Sequence, residues 1–142
     1  MSNQKPLADP LAAVRQPVAT ANGLPNAHYT DPGVFTEEAD ALLKSTWAGL
    51  AVASDVPEPG DAVPLTFLGM PLLLLRDKTG TVRVFNNVCR HRGMILVEEP
   101  RKIEGAIRCP YHSWCYATDG RLVTTPHAVP YTHLTLPTSA PV

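Results

Sequence analysis

Cysteine is scarce in this 142-residue chain: Cys89, Cys109 and Cys115 are the three, an odd number that does not close into a paired disulfide framework. An export segment is lacking too, because Met1 to Pro10 is polar and broken by proline, with no apolar h-region. The chain therefore reads as cytoplasmic, and its thiols as free for metal or cluster ligation. Long apolar runs are missing: Leu72 to Leu75 with its neighbours falls far short of the roughly 20 residues that span a bilayer. Neither sign of charge dominates, with 12 Lys and Arg against 13 Asp and Glu, so there is no broad electrostatic footprint for nucleic acid or a membrane surface. What is present suffices for a core, since 44% hydrophobic content in a chain of this length suits one folded unit with extensions.

The prolines concentrate early, at positions 6, 10, 17 and 25, and deny residues 1–28 regular hydrogen bonding, so this stretch reads as a flexible arm. Residues 29–46 form a leading helical segment. Asp31-Pro32 supplies an N-cap and a first helical proline, and Phe35, Ala39, Leu42 and Leu43 fall at i, i+4, i+7 and i+8. One amphipathic helix over about 32–45 is expected.

From Trp47 the pattern changes to short runs rich in Val and Leu, separated by turn signals such as Leu68-Gly69 and Asp77-Lys78-Thr79-Gly80. The fold class is all-β, a small antiparallel domain behind the arm and the short helix. Expected strands are Gly49–Ala53, Ala62–Leu68, Leu72–Arg76, Thr81–Asn86, Ala106–Cys109, Ser113–Ala117 and Arg121–Thr124, with Asp119-Gly120 as the hairpin turn between the last two.

Two short motifs carry the chemistry. Cys89-Arg90-His91-Arg92-Gly93 and Cys109-Pro110-Tyr111-His112-Ser113-Trp114 give C-x-H, seventeen intervening residues, then C-x-x-H. Each motif offers one thiolate and one imidazole. A Rieske [2Fe–2S] centre needs two Cys on one iron and two His on the other, which two such loops side by side provide. A tetrahedral Zn²⁺ with a Cys₂His₂ set is the alternative, although zinc sites usually pair C-x-x-C with H-x₃₋₅-H instead of mixing ligands within each pair. Each residue taken singly also has a bland role, because a lone buried Cys or His is most often ordinary core.

Cys115 lies three residues past His112 and reads as a small core side chain. Trp114 and Tyr116 alternate with it and are expected to pack on the sheet, Trp114 against the cluster loops. Arg90 and Arg92 are solvated or belong to a docking face for an acidic partner. His28, His127 and His133 show no spacing for a second, mononuclear iron site and read as surface or loop residues.

From about Tyr29 to His127 the chain resembles the N-terminal part of the α subunit of Rieske non-haem iron ring-hydroxylating oxygenases. The resemblance rests on the Asp-Pro helix with Phe35, on Thr46-Trp47, on Phe85-Asn86-Asn87-Val88, and on C-R-H-R-G and C-P-Y-H-x-W. Ser113 stands where many members have Gly. Respiratory Rieske proteins fit less well, because they carry an extra cysteine in each cluster loop; a stand-alone Rieske-type ferredoxin shares the motif but usually lacks the arm and helix.

The resemblance implies a Rieske domain over 47–129 with one [2Fe–2S] cluster on Cys89, His91, Cys109 and His112. It implies electrons arriving from a flavin-dependent NAD(P)H reductase, in some members through a ferredoxin, and leaving for a mononuclear Fe(II) present only in the full-length protein, a homotrimer. Residues 130–142 do not resemble the family and read as a non-native tail, with the catalytic domain absent; the chain alone is expected to pass electrons without hydroxylating.

Overall fold

Leu72-Leu73-Leu74-Leu75 has no polar residue at alternate positions, and it becomes an inner strand buried on both faces. The computed structural model describes residues 9, 11–126 and 135–137. It divides into two compact units, one up to Thr46 and one from Trp47.

The second unit holds β1 (Asp61–Phe67), β2 (Met70–Arg76), β3 (Val82–Asn86), β4 (Arg101–Lys102), β5 (Ala106–Arg108), β6 (Cys115–Ala117) and β7 (Leu122–Thr124). They form two antiparallel sheets, ordered β3-β2-β1-β4 and β5-β6-β7. This is the expected all-β architecture. Leu68 and Gly69, both at positive φ, make the two-residue turn that brings Phe67 opposite Met70.

One buried cluster joins Leu73, Leu75 and Phe85 of the first sheet to Ile107 and Tyr116 of the second, and takes in Cys89 and Cys109. The cysteines are thus part of the core. At the Asp119-Gly120 turn Gly120 has φ +92°, and a Cβ there would lie 2.7 Å from a ring carbon of the fully buried Phe85. Only glycine fits that approach. Of the predicted tail, residues 135–137 are described: Leu136 is buried, its N–H donates to the Gly120 carbonyl at 2.9 Å, and the Pro137 carbonyl accepts from Asn86 N–H at 3.1 Å. The remainder of 130–142 lies outside the described residues.

Several expected boundaries shift. Gly49–Ala53 is not a strand: a 3₁₀ turn forms over Ala53–Asp55, and the carbonyls of Ala53 and Val56 accept from the Arg76 guanidinium instead of joining a ladder. The strand expected from Ser113 begins at Cys115, because Ser113 has φ +59° and the Trp114 carbonyl is taken by Cys109 N–H. β4, two residues long, has no periodicity to reveal it.

In the first unit, α1 (Ala27–Thr30) precedes α2 (Pro32–Glu38), and Asp31 caps α2 by accepting from Gly33 N–H at 2.7 Å. The helix expected to run to 45 passes into a π-helical turn over Ala39–Leu43, where Lys44 N–H reaches back to the Ala39 carbonyl. Ser45 and Thr46 hydroxyls take the carbonyls of Ala41 and Leu42, ending it. Of the four apolar positions only Ala39 is buried; Phe35, Leu42 and Leu43 are exposed. Among the described residues no helix is long and apolar enough to cross a membrane.

Candidate metal centre

Two loops project from the sheets, 88–96 after β3 and 109–114 between β5 and β6, and both are closed by the same pair of backbone bonds. Cys89 N–H donates to the Met94 carbonyl at 2.8 Å while the Cys89 carbonyl accepts from Gly93 N–H at 3.0 Å. Cys109 N–H donates to Trp114 at 2.8 Å, and its carbonyl accepts from Ser113 N–H at 3.1 Å. The fourth residue after each cysteine is left-handed, Gly93 at φ 72° and Ser113 at φ 59°. Each loop is therefore a one-turn cradle with cysteine at its base.

That repeat sorts the side chains by type. Cys89 and Cys109 are free thiols with 2% exposure, and Cys89 lies close enough to Cys109 to influence its ionisation. His91 is exposed and His112 half-buried, their ring centroids 4.7 Å apart at 71°. Trp114 stacks flat on His91 at 4.7 Å and 7°, and the exposed Tyr111 ring lies 3.7 Å from His112. Thiols face inward and imidazoles outward. Cys115, expected in the core, is instead half-buried, its Sγ donating to the Ser113 carbonyl. His28, expected on the surface or in a loop, is half-buried in α1; His127 and His133 lie outside the described residues.

Tyr116 is a member of the site that motif spacing does not reveal. Its fully buried hydroxyl accepts from Arg90 N–H at 3.0 Å and lies 3.4 Å from Cys89 Sγ. Either the free thiol or the hydroxyl can donate across this contact, but toward a cluster-bound Cys89 thiolate, which has no proton, only the Tyr116 O–H can donate. The one available signal was general: a buried tyrosine needs a partner for its hydroxyl.

Burial pushes the Cys109 thiol up, and so does the neighbouring Cys89, while the backbone N–H groups of Tyr111 and His112 pull it the other way. Tyr116 is raised by burial and by its bond to Cys89. The His112 imidazole is lowered by burial, by His91 and by Arg92. Arg90 and Arg92 are exposed and form no ion pair among the described residues.

A group with two thiolate-binding and two imidazole-binding positions fits this donor set. His112 Nδ1 is buried with no hydrogen-bond partner, a cost that a metal bond removes. Two thiols paired in the core and two imidazoles paired outside it suit two irons better than one Zn²⁺.

The pattern of the Rieske [2Fe–2S] domain matches residues 46–138. The chain belongs to the Rieske [2Fe–2S] family. This Rieske chain is 34% identical over 124 residues to the glycine betaine monooxygenase oxygenase subunit of Chromohalobacter salexigens, covering 82% of the chain and 28% of that protein. It is 32% identical over 95 residues to the anthranilate 1,2-dioxygenase large subunit of Acinetobacter baylyi, covering 67% of the chain and 20% of the relative. A quaternary ammonium Rieske monooxygenase superposes with a TM-score of 0.75 at 28% identity, over 83% of this chain and 34% of the other. The chain thus spans about a fifth to a third of the relatives it matches. Those relatives are oxygenase subunits and not free-standing ferredoxins, and the cofactor of this family's domain is a [2Fe–2S] cluster.

Proposed function

We propose that Cys89 and Cys109 hold one iron of the cluster and His91 and His112 the other, within a domain spanning 47–129 that follows an arm over 1–28 and a helical segment over 29–46. The observation that carries this is the sorting of donors, with two buried thiols side by side and two imidazoles side by side at the surface. The bound cluster supplies one-electron chemistry. The chain's own residues enclose the thiol side in the core, aim Tyr111 and His112 N–H groups at the Cys109 sulfur and the Tyr116 hydroxyl at Cys89, and leave His91 at the surface where electrons cross.

In the whole protein this domain serves an oxygenase α subunit, with a mononuclear Fe(II) and the substrate pocket in the part that the chain does not span. Electrons come from a flavin-dependent NAD(P)H reductase, directly or through a ferredoxin, to a cytoplasmic homotrimer. Likeness to monooxygenase and dioxygenase subunits supports this, as does a related quaternary ammonium monooxygenase for which inter-subunit electron transfer is described. The test is anaerobic purification with iron and sulfide: about two irons and two labile sulfides per chain are expected, with a dithionite-reducible EPR signal. Zinc without sulfide overturns the ligand assignment.

A further inference from the structure

Asn87 stands at the neck of the first cluster loop, is 2% exposed, and spends every polar group there. Its N–H donates to the Pro71 carbonyl on β2 at 2.9 Å, and its carbonyl accepts from Leu96 N–H at 3.3 Å. Its side chain crosses to Val97: Nδ2 donates to the Val97 carbonyl at 2.6 Å, and Oδ1 accepts from Val97 N–H at 3.0 Å. A side-chain amide thus makes both bonds that an opposing strand residue makes in a ladder.

The reason lies in the register. Val88 bridges Ile95 in antiparallel fashion, so continuing the pairing sets Asn87 opposite Leu96 and Asn86 opposite Val97. Asn86 N–H is already engaged by the Pro137 carbonyl. The second loop needs no substitute, because β5 and β6 close its neck with Arg108 opposite Cys115.

We infer that Asn87 is a positioning residue for the cluster: its carboxamide locks the ends of the first loop together and so fixes where Cys89 and His91 stand relative to Cys109 and His112. This rests on the ligand assignment proposed above. None of these Asn87 hydrogen bonds goes to a proposed ligand side chain, so its effect on the ligands runs through the loop.

The experiment compares the wild-type chain with Asn87→Ala and Asn87→Gln, the latter keeping donor and acceptor on a longer arm. Amide hydrogen exchange is followed in each, together with iron release from the reconstituted cluster to bathophenanthroline and the EPR spectrum after dithionite reduction. In Asn87→Ala, Val97 and Leu96 amides lose protection while Ile107 and Tyr116 keep theirs. Iron release is expected to accelerate about 10- to 100-fold, the usual effect of removing a residue that orients a metal ligand. The EPR lines broaden, a change that lower fold stability alone does not produce, and Asn87→Gln falls between. Should Asn87→Ala not fold, Asn87→Gln against wild type carries the same comparison.

Unchanged exchange at Val97 overturns the clamp. Faster exchange there with wild-type iron release and an unaltered EPR spectrum overturns the positioning role and leaves the ligand assignment standing. A wild-type chain that takes up no iron and sulfide overturns the ligand assignment and the positioning role with it.

Discussion

Tyr116 on β6 sets its hydroxyl 3.4 Å from Cys89 Sγ while accepting from Arg90 N–H at 3.0 Å, so one side chain ties the strand after the second loop to the base of the first, and toward a cluster-bound thiolate that hydroxyl can only donate. The hydrogen bond stabilises negative charge on sulfur. Charge there is greatest when the cluster is reduced, so the bond favours reduction.

Tyr116→Phe keeps the buried ring and removes the donor. The reduction potential is expected to fall by about 40 mV, the one-electron equivalent of about 1 kcal/mol for one hydrogen bond. Protein-film voltammetry of the two loaded proteins measures it. An equal or higher potential in the variant would show that the hydroxyl does not act on the sulfur.

The three cysteines are expected to separate cleanly. Cys89→Ser and Cys109→Ser should leave the protein colourless after reconstitution, because each removes a thiolate from the buried pair. Cys115→Ser should retain the visible spectrum, since Cys115 Sγ is engaged with the Ser113 carbonyl and lies outside the core cluster. Bleaching by Cys115→Ser contradicts the ligand set.

Much of this is legible in the sequence. Ligand chemistry is a property of residue type, so C-x-H and C-x-x-H declared four donors, and strands such as β2 and β3 announced themselves by apolar runs bounded by turn residues. What stayed hidden depends on partners distant in sequence. Tyr116 meets Arg90 across 26 positions, and Asn87 meets Val97 across 10, neither with a periodic signature. In the sequence Ser113 shows only as a departure from glycine; its φ of 59° supplies the physical content of that departure.

That left-handed serine predicts a stabilising substitution. Ser113→Gly relieves a conformation that L side chains disfavour, so stability should rise by about 0.5–1 kcal/mol. Gly93→Ala places a side chain in the matching position of the first loop and should cost about 1 kcal/mol. Urea melts of the cluster-free proteins measure both. Equal and opposite shifts are not required, but a stabilising Gly93→Ala would contradict the left-handed geometry.

Asp77 makes the domain's stability depend on acid. It is buried at the β2–β3 turn, where its Oδ1 accepts from Thr79 N–H, Thr79 Oγ1 and Thr81 N–H, and its Oδ2 from Arg83 Nε at 2.6 Å. Burial alone would raise the carboxyl, but these donors outweigh it and hold the group at about 2, against an ordinary 3.8. The unfolded chain therefore binds the proton more tightly than the folded one. Stability from this group is complete well above 3.8 and is lost as pH falls through that value toward 2, a loss of about 2 kcal/mol. Asp77→Asn removes this titration, leaves the Arg83 guanidinium without its charged partner, and sets the new NH2 donor against a donor whichever way the amide turns, Arg83 Nε on one side or the Thr79 and Thr81 amides on the other. At neutral pH the variant should be less stable by about 2 kcal/mol, and its stability should vary less between pH 5 and pH 2 than that of wild type. Urea denaturation across that pH range, on cluster-free protein so that loss of metal does not intrude, measures both. Parallel pH profiles for the two proteins would place the acid sensitivity on other carboxylates, Asp61 and Asp119 first, both of which are also lowered by their hydrogen bonds.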